Sequence, residues 1–158
     1  MPSNISAGLL MFALRNGTLK IFLVHPGGPF FTNKDDGYWG IPKGLTEEGE
    51  ELLESAKREF EEETGIKPEG EFLPLGWVVQ KGGKTVHAWA FECENDDKLE
   101  IECNMFKMEW PPKSGKFREF PEVDKGDFFS EEEAKVKMNS AQISFIERLK
   151  EIIKKRIS

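Results

Sequence analysis

The sequence predicts an α/β or α+β sandwich, in which helices lie on both sides of a mixed β-sheet. Segments with the alternation of strands and segments with the periodicity of helices follow one another along 158 residues, a length that suffices to close one apolar core. The composition, with 38% apolar and 32% charged residues, is typical of a globular domain. We therefore expect a single domain over residues 1–158.

The first predicted element is a β-hairpin. Residues 6–14 and 18–25 are apolar and flank Asn16-Gly17, a dipeptide that favours a tight hairpin turn. Residues 26–44 follow as a long irregular segment rich in glycine and proline. Segments of this length are usually functional or disordered, and the aromatic residues in this one argue against disorder.

Residues 47–64 form the clearest predicted helix. One apolar stripe runs along it, made of Leu52, Leu53, Ala56 and Phe60. Gly65 follows as the expected C-terminal stop. The sequence therefore predicts an amphipathic helix that packs one face on the sheet.

The second half of the chain predicts more strands and two helices. Two strands are expected on either side of Gly82-Gly83, and the second, from Thr85 to Phe91, alternates so that each set of side chains lines one face. Residues 94–129 read as short strand pieces and loops. A short helix capped by Ser130 and a longer amphipathic helix from about Ser140 are predicted to end the chain.

Three carboxylates of the 47–64 helix lie beside its apolar stripe. At 100° per residue, Glu59, Glu62 and Glu63 fall within about 100° of one another, whereas Glu61 points to the solvated side. Carboxylate oxygens at positions i, i+3 and i+4 suit hard cations such as Mg²⁺ or Mn²⁺. The pattern therefore predicts a metal site.

Two other interpretations of these glutamates remain. Glu54, Arg58 and Glu62 have the spacing of an ordinary ladder of ion pairs on a solvated helix face. An acidic face that binds a partner protein is a third possibility, and it requires the glutamates to be freely solvated.

The stretch from Gly44 to Ile66, GLTEEGEELLESAKREFEEETGI, resembles the Nudix box. Its constrained positions match at the required spacing, namely Gly44, Glu50, Arg58, Glu59, Phe60, Glu62, Glu63, Gly65 and Ile66. The preceding WGIPKG is similar to the usual approach to that motif. The resemblance to the Nudix hydrolase family implies an α/β/α sandwich. It also implies Mg²⁺- or Mn²⁺-dependent hydrolysis of a phosphoanhydride in a nucleoside diphosphate linked to another moiety, such as a nucleoside polyphosphate or dinucleoside polyphosphate.

The same resemblance assigns roles by matching position. Glu59, Glu62 and Glu63 would hold the metal, together with the carbonyl oxygen of Gly44. Glu59, or another of these glutamates such as Glu62, would also activate the attacking water, and Arg58 would orient it. Glu50 would be a structural or outer-sphere group. One more ligand is expected downstream, from Glu109, Glu119 or Glu122, and we favour Glu122.

The loop before the box supplies candidate substrate contacts. Lys43 is expected to reach a substrate phosphate, and Tyr38 and Trp39 are placed to stack on a nucleobase. A solvated loop lysine and tryptophans in the core or at its rim are the alternatives. For His87, beside Trp89, the candidates are a base, a base-stacking partner and a packed sheet histidine, and we favour the packed histidine. Asymmetric diadenosine-tetraphosphate hydrolases often carry a tyrosine well after the box, but Tyr38 precedes it and is the only tyrosine here, so the substrate stays open.

Charge and composition limit the partners. A net charge of −7 argues against general nucleic-acid binding, so we expect a small nucleotide substrate. No apolar run approaches the roughly 20 residues of a membrane span, and the N-terminal segment lacks a basic leader. We expect a cytoplasmic protein, a monomer or a homodimer, with reduced Cys93 and Cys103. The alternative function is a catalytically weak nucleotide-binding or sensor protein on the same fold.

Overall fold

A computed structural model of the chain describes residues 5–93, 105–109, 111–121 and 123–157. In chain order its strands and helices are β1 (Ile5–Arg15), β2 (Thr18–Pro26), β3 (Lys43–Leu45), α1 (Leu52–Thr64), β4 (Leu73–Val79), β5 (Thr85–Glu92), β6 (Met105–Glu109), β7 (Phe117–Pro121), β8 (Val123–Ser130), α2 (Glu131–Lys137) and α3 (Ile143–Ile157), with a 3₁₀ turn at Ser140–Gln142. The predicted hairpin, the strands around Gly82-Gly83 and the two C-terminal helices are all present.

A mixed sheet forms the centre of the fold. Its strand order is β4-β5-β1-β2-β8, and β3 pairs with β1 beside this path. Strands β1 and β5 run parallel, from the pair Ile5 and Thr85 to the pair Phe12 and Glu92, and the other pairs are antiparallel. Strands β6 and β7 form a separate two-stranded sheet. The prediction of a mixed sheet is confirmed.

Two apolar clusters cover the two faces of this sheet. On one face α2 and α3 pack through Ala134, Phe145 and Leu149 onto side chains such as Leu10 and Val86. On the other face α1 packs on the sheet through buried side chains that include Ala56 and Phe60, which lie among Leu9, Met11, Phe22 and Phe91. The alternation predicted for β5 sends Val86, Ala88 and Ala90 to the first cluster and Trp89 and Phe91 to the second. Helices therefore lie on both sides of the sheet, which confirms the α/β/α sandwich.

Helix α1 begins later than the sequence predicted. It starts at Leu52, and residues 47–51 form a turn in which Gly49 has a φ of 81°. The backbone N–H of Glu47 donates to the Glu50 carboxylate (3.3 Å), which closes this turn. The predicted stop is confirmed, because Gly65 is left-handed (φ 76°) and its N–H donates to the Glu61 carbonyl.

The long segment between β2 and β3 is ordered by contacts at several points. Buried His25 hydrogen-bonds Asp124 through Nδ1 (2.8 Å) and donates from Nε2 to the Lys34 carbonyl. The Lys137 ammonium pairs with Asp35 (2.6 Å), and the backbone N–H of Trp39 donates to the Lys137 carbonyl. These contacts join the loop to β2, β8 and α2, and they fix the position of Tyr38 and Trp39.

Strand β3 holds the first residues of the Nudix-like motif against β1. Gly8 pairs with Lys43, and Ala7 pairs with Gly44. A Cβ on Gly8 would lie 2.6 Å from the Pro42 carbonyl oxygen, so only glycine admits this approach. Gly44 is thereby fixed at the sheet edge beneath α1.

None of the described helices is long and apolar enough to cross a membrane. Cys93 is buried, and Cys103 lies outside the described residues.

We predict that Phe60→Ala destabilises the fold by about 3–5 kcal/mol, because it leaves a cavity between the rings of Phe22 and Phe91. Phe117→Ala removes the same atoms from an exposed position and should change the free energy of unfolding by less than about 0.5 kcal/mol. Urea unfolding followed by circular dichroism measures both. Similar losses in the two variants would contradict the packing of α1 described above.

Candidate active site

The site begins where α1 approaches β3. The Glu59 side chain is 13% exposed and lies against Gly44. A Cβ on Gly44 would be 2.1 Å from the carboxyl carbon and from Oε2 of Glu59. Gly44 is therefore required because the carboxylate occupies the space that any side chain would need.

A second carboxylate is fixed on the same strand. Glu63 is 9% exposed, and its Oε2 accepts a hydrogen bond from the Lys43 backbone N–H (3.0 Å). Two of the three predicted metal ligands, Glu59 and Glu63, thus converge on consecutive residues of β3. Glu61 points to solvent, as the helical periodicity predicted.

Arg58 lies among the remaining carboxylates. It forms a two-point contact with Glu50, from Nε to Oε2 (2.9 Å) and from Nη2 to Oε1 (3.1 Å). Its Nη1 also donates to Glu59 (3.0 Å) and to both oxygens of Glu62 (3.2 Å). Arg58 therefore offsets the repulsion between acidic groups on one helix.

These contacts shift the pKa of both partners. The hydrogen bonds from Arg58 lower the pKa of Glu50 from 4.5 to about 2. The hydrogen bonds to Glu50, with those to Glu62, raise the pKa of Arg58, against the effect of burial. The ladder of Glu54, Arg58 and Glu62 is incomplete, since the basic residue that Glu54 contacts is Lys57 at 3.5 Å.

The other predicted metal ligands are placed differently. Glu62 is 37% exposed and faces Arg58. The Glu109 carboxylate accepts hydrogen bonds from the Lys113 and Gly115 N–H groups in the β6–β7 turn, and Glu119 is exposed on β7. The favoured downstream residue, Glu122, lies outside the described residues.

The donor chemistry fits a hard divalent cation, although the described side chains do not close a metal site alone. Within the described ranges, no three His, Cys, Asp or Glu side chains are grouped so as to hold a metal ion. Glu59 and Glu63 nevertheless bring carboxylate oxygens to the Gly44 backbone, and oxygen is the donor that Mg²⁺ and Mn²⁺ prefer.

A cleft of about 190 Å³ adjoins these residues. Lys43, Glu63, Tyr38 and Trp39 all line it, so the structure brings the three predicted substrate contacts to one place. Burial lowers the pKa of Lys43, as does the nearby charge of Lys84, against the opposing effect of Glu63 and Glu59. The lysine predicted to meet phosphate is thus half-buried in the cleft wall and not a freely solvated loop lysine.

The two aromatic residues of the loop differ in exposure. Tyr38 is 46% exposed, with the Phe31 ring at a centroid distance of 6.3 Å and the Lys34 ammonium 5.7 Å from its ring centroid, whereas Trp39 is 5% exposed. The indole N–H of Trp39 donates to Asp35 (2.7 Å), and its ring meets His25 and Phe129 edge-on at centroid distances of 5.3 and 4.9 Å. Trp39 is a core residue that contributes to the cleft wall, which matches the alternative given for it above. Tyr38 is the better placed of the two to stack on a base.

Several residues near the site carry no signal in the sequence. Gln80, Asn139 and Gln142 line the same cleft, but they come from the β4–β5 turn and from the segment after α2.

Trp77 is exposed on β4 and packs on His87 at a centroid distance of 5.9 Å. His87 is thus a packed sheet histidine, as the sequence analysis favoured.

The fold and the site together define an α/β/α sandwich with an acidic, arginine-linked site on the C-terminal half of its first helix and the adjoining strand. The NUDIX domain profile matches residues 5–149, and the chain belongs to this family.

This chain is similar to two curated relatives and to one solved structure. Nudix hydrolase 6 of Arabidopsis thaliana is 33% identical over 108 residues, 67% of this chain and 32% of the relative. The asymmetrical bis(5′-nucleosyl)-tetraphosphatase of Rattus norvegicus is 41% identical over 66 residues, 38% of this chain and 45% of the relative. The chain thus spans less than half the length of either relative. The Ap4A hydrolase of C. elegans, solved as a binary complex, superposes with a TM-score of 0.68 at 18% identity, over 94% of this chain and 97% of that one.

We predict that the Glu50–Arg58 contact contributes to stability in a defined pH window. Because the pKa of Glu50 is depressed to about 2, its contribution is complete above about pH 4.5 and is lost as the pH falls through about 2. Glu50→Gln should lower the free energy of unfolding by about 1–2 kcal/mol at pH 7. The gap should shrink between pH 4.5 and 2.

Urea unfolding at a series of pH values measures this gap. Glu48→Gln makes the same exchange at a neighbouring exposed position and should leave stability nearly unchanged at every pH. A gap between Glu50→Gln and wild type that does not depend on pH would disprove the assignment.

Proposed function

We propose that this protein hydrolyses a phosphoanhydride bond in a nucleoside diphosphate linked to another moiety, as a nucleoside polyphosphate or dinucleoside polyphosphate pyrophosphohydrolase. The observation that carries the proposal is the convergence of Glu59 and Glu63 on β3, with Arg58 alongside and a cleft next to them. Family membership supports it, as do the hydrolase names of both curated relatives.

The proposal includes Mg²⁺, or Mn²⁺, as cofactor. Glu59, Glu62, Glu63 and the Gly44 carbonyl oxygen would hold it, with Glu122 as the expected further ligand. A bound divalent cation supplies neutralising charge for the non-bridging phosphate oxygens and lowers the pKa of the attacking water. Glu62 is the most exposed of the three carboxylates and is therefore the one that can move from Arg58 at least cost.

The chain's own groups perform the remaining work. Glu59 accepts the proton of the attacking water, since its carboxylate is held rigidly between α1 and Gly44. Arg58, anchored by two hydrogen bonds to Glu50, keeps its third nitrogen directed at Glu59 and Glu62 and orients the water. The Lys43 ammonium pairs with a substrate phosphate, and Tyr38 stacks on the nucleobase.

The wider assignments belong to the same proposal. A small nucleotide as the only polyanionic partner is consistent with the net charge of −7. A reducing cytoplasmic location is consistent with the two cysteines of the sequence, which are too few for a disulfide framework.

One observation favours a second candidate, a nucleotide-binding or sensor protein with weak catalysis. Arg58 donates hydrogen bonds to both Glu59 and Glu62, so part of the repulsion between these carboxylates is offset without a metal. In this case a nucleotide would bind the cleft but would not turn over in Mg²⁺. Product release from a panel of nucleoside-diphosphate compounds separates the two candidates.

We predict that hydrolysis requires added Mg²⁺ or Mn²⁺ and that Glu59→Gln lowers kcat by at least about a hundredfold with the fold intact. The substitution keeps the shape of the side chain but removes the charge and the basicity that proton transfer needs. Steady-state phosphate release, with and without excess chelator, measures both effects. Full turnover in chelator, or wild-type kcat in the variant, would rule out the assigned mechanism.

We predict opposite outcomes for Glu63→Gln and Glu61→Gln. Each removes one negative charge from the last turns of α1, but the two side chains point about 160° apart. Glu63→Gln should weaken Mn²⁺ binding and sharply reduce hydrolysis, because a ligand is lost. Glu61→Gln should do neither, since its side chain is solvated. Calorimetry and kcat at saturating Mg²⁺ provide the comparison, and equal effects would mean that the metal lies elsewhere.

A further inference from the structure

Two glutamine side chains form a hydrogen-bonded chain along the cleft. The Ile41 backbone N–H donates to Oε1 of buried Gln142 (3.0 Å), and Gln142 Nε2 donates to Gln80 Oε1 (2.8 Å). A backbone N–H can only donate, so the atom of the Gln142 amide that faces Ile41 must be the oxygen, and the amide nitrogen faces Gln80. The Gln142 amide nitrogen is likewise a donor, so the Gln80 amide turns its oxygen towards Gln142.

The group that this chain presents outwards is therefore the amide nitrogen of Gln80. Among the described residues, none accepts a hydrogen bond from Gln80 Nε2. Asn139, which also lines the cleft, has the same polarity: its Oδ1 accepts from the Ala141 N–H (3.0 Å), which leaves Nδ2 as a donor. Two amide donors with engaged oxygens thus line one cleft.

We propose that Gln80 and Asn139 select substrates with a 6-oxopurine base, guanine or hypoxanthine, over those with adenine. This inference rests on the proposed function and specifies its substrate class. One edge of a 6-oxopurine carries two acceptors, O6 and N7, whereas the same edge of adenine carries the acceptor N7 and the N6 amino donor. Gln80 Nε2 donates to O6 and Asn139 Nδ2 donates to N7. Adenine would bring its amino group against a donor.

The size and position of the cleft agree with this assignment. Its volume of about 190 Å³ is below the roughly 300 Å³ at which pockets for whole drug-sized ligands begin, so it suits one ring system and not an entire dinucleotide. The amide chain starts at Ile41, and Glu63 is bound at Lys43. Two residues of backbone span at most about 7 Å, so a base at the amides is adjacent to phosphates at the carboxylates.

A single substitution replaces the Gln80 donor with an acceptor. Gln80→Glu retains an oxygen for Gln142 Nε2 but places a second oxygen where the amide nitrogen stood, so the cleft presents one acceptor and one donor, the pattern of adenine. We expect wild type to prefer diguanosine tetraphosphate to diadenosine tetraphosphate by at least about tenfold in kcat/KM, and the variant to lose or invert this ratio. Asn16→Asp makes the same amide-to-carboxylate exchange in the exposed β1–β2 turn and should keep the wild-type ratio.

A second variant tests the hydrogen-bonded chain from Ile41 through Gln142 to Gln80 without placing a charge against the base. In Gln142→Glu, one oxygen still accepts from Ile41 and the other accepts from Gln80, so Gln80 turns its own oxygen outwards. The kcat/KM ratio should shift towards adenine, as in Gln80→Glu, whereas a purely structural role would lower both rates equally. A melting temperature for each variant identifies any that fails to fold, and the remaining variant then decides.

Binding measurements distinguish a failure of this inference from a failure of the proposed function. Calorimetry with GDP and ADP in Mg²⁺ measures base preference without turnover, and tighter binding of GDP supports the inference even if neither tetraphosphate is hydrolysed. Equal affinities, preference for ADP, no measurable binding of either, or an unchanged ratio in a folded Gln80→Glu would each overturn it. Hydrolysis of both tetraphosphates without preference would overturn the inference but leave the proposed function standing.

Discussion

The contact between the Arg58 guanidinium and its acidic neighbours is the interaction on which the site depends. Glu50, Glu59 and Glu62 each accept a hydrogen bond from it, and Glu47 lies at 3.7 Å. Without this cation, the carboxylates of α1 would repel one another at a partly buried position, where the cost of an uncompensated charge is largest. The guanidinium is suited to this position because its planar fork offers several donors in fixed directions.

The same contact joins local structure to function. Glu50 belongs to the turn before α1, so its two hydrogen bonds to Arg58 fix the start of the helix as well as the arginine. Gly49 in its left-handed conformation allows the chain to bring Glu50 to that place. The turn that delays α1 to Leu52 is thus part of the site.

The approach of α1 to β3 depends on two glycines in succession. Gly8 lets β3 lie close to β1, and Gly44 lets the Glu59 carboxylate lie close to β3. Behind them, Phe60 anchors the helix in the core formed with Phe22 and Phe91. Packing on one side of α1 therefore holds the carboxylates of Glu59 and Glu63 on its adjacent side in a narrow range of positions. Glu62 is more exposed than Glu59 or Glu63.

The sequence by itself determined the features that depend on neighbours along the chain. The hairpin at Asn16-Gly17, the stop at Gly65, the cap at Ser130 and the common face of Glu59 and Glu63 all follow from turn chemistry and the 3.6-residue period. Only the tertiary structure decided what those faces meet. The Gly44 cradle requires β3 to pair with β1, Trp39 is buried by packing against His25 and Phe129, and the Gln80–Gln142 hydrogen bond joins residues 62 apart in sequence. Periodicity and capping are properties of a few consecutive residues, whereas contacts between distant segments depend on how the sheet and its helices assemble.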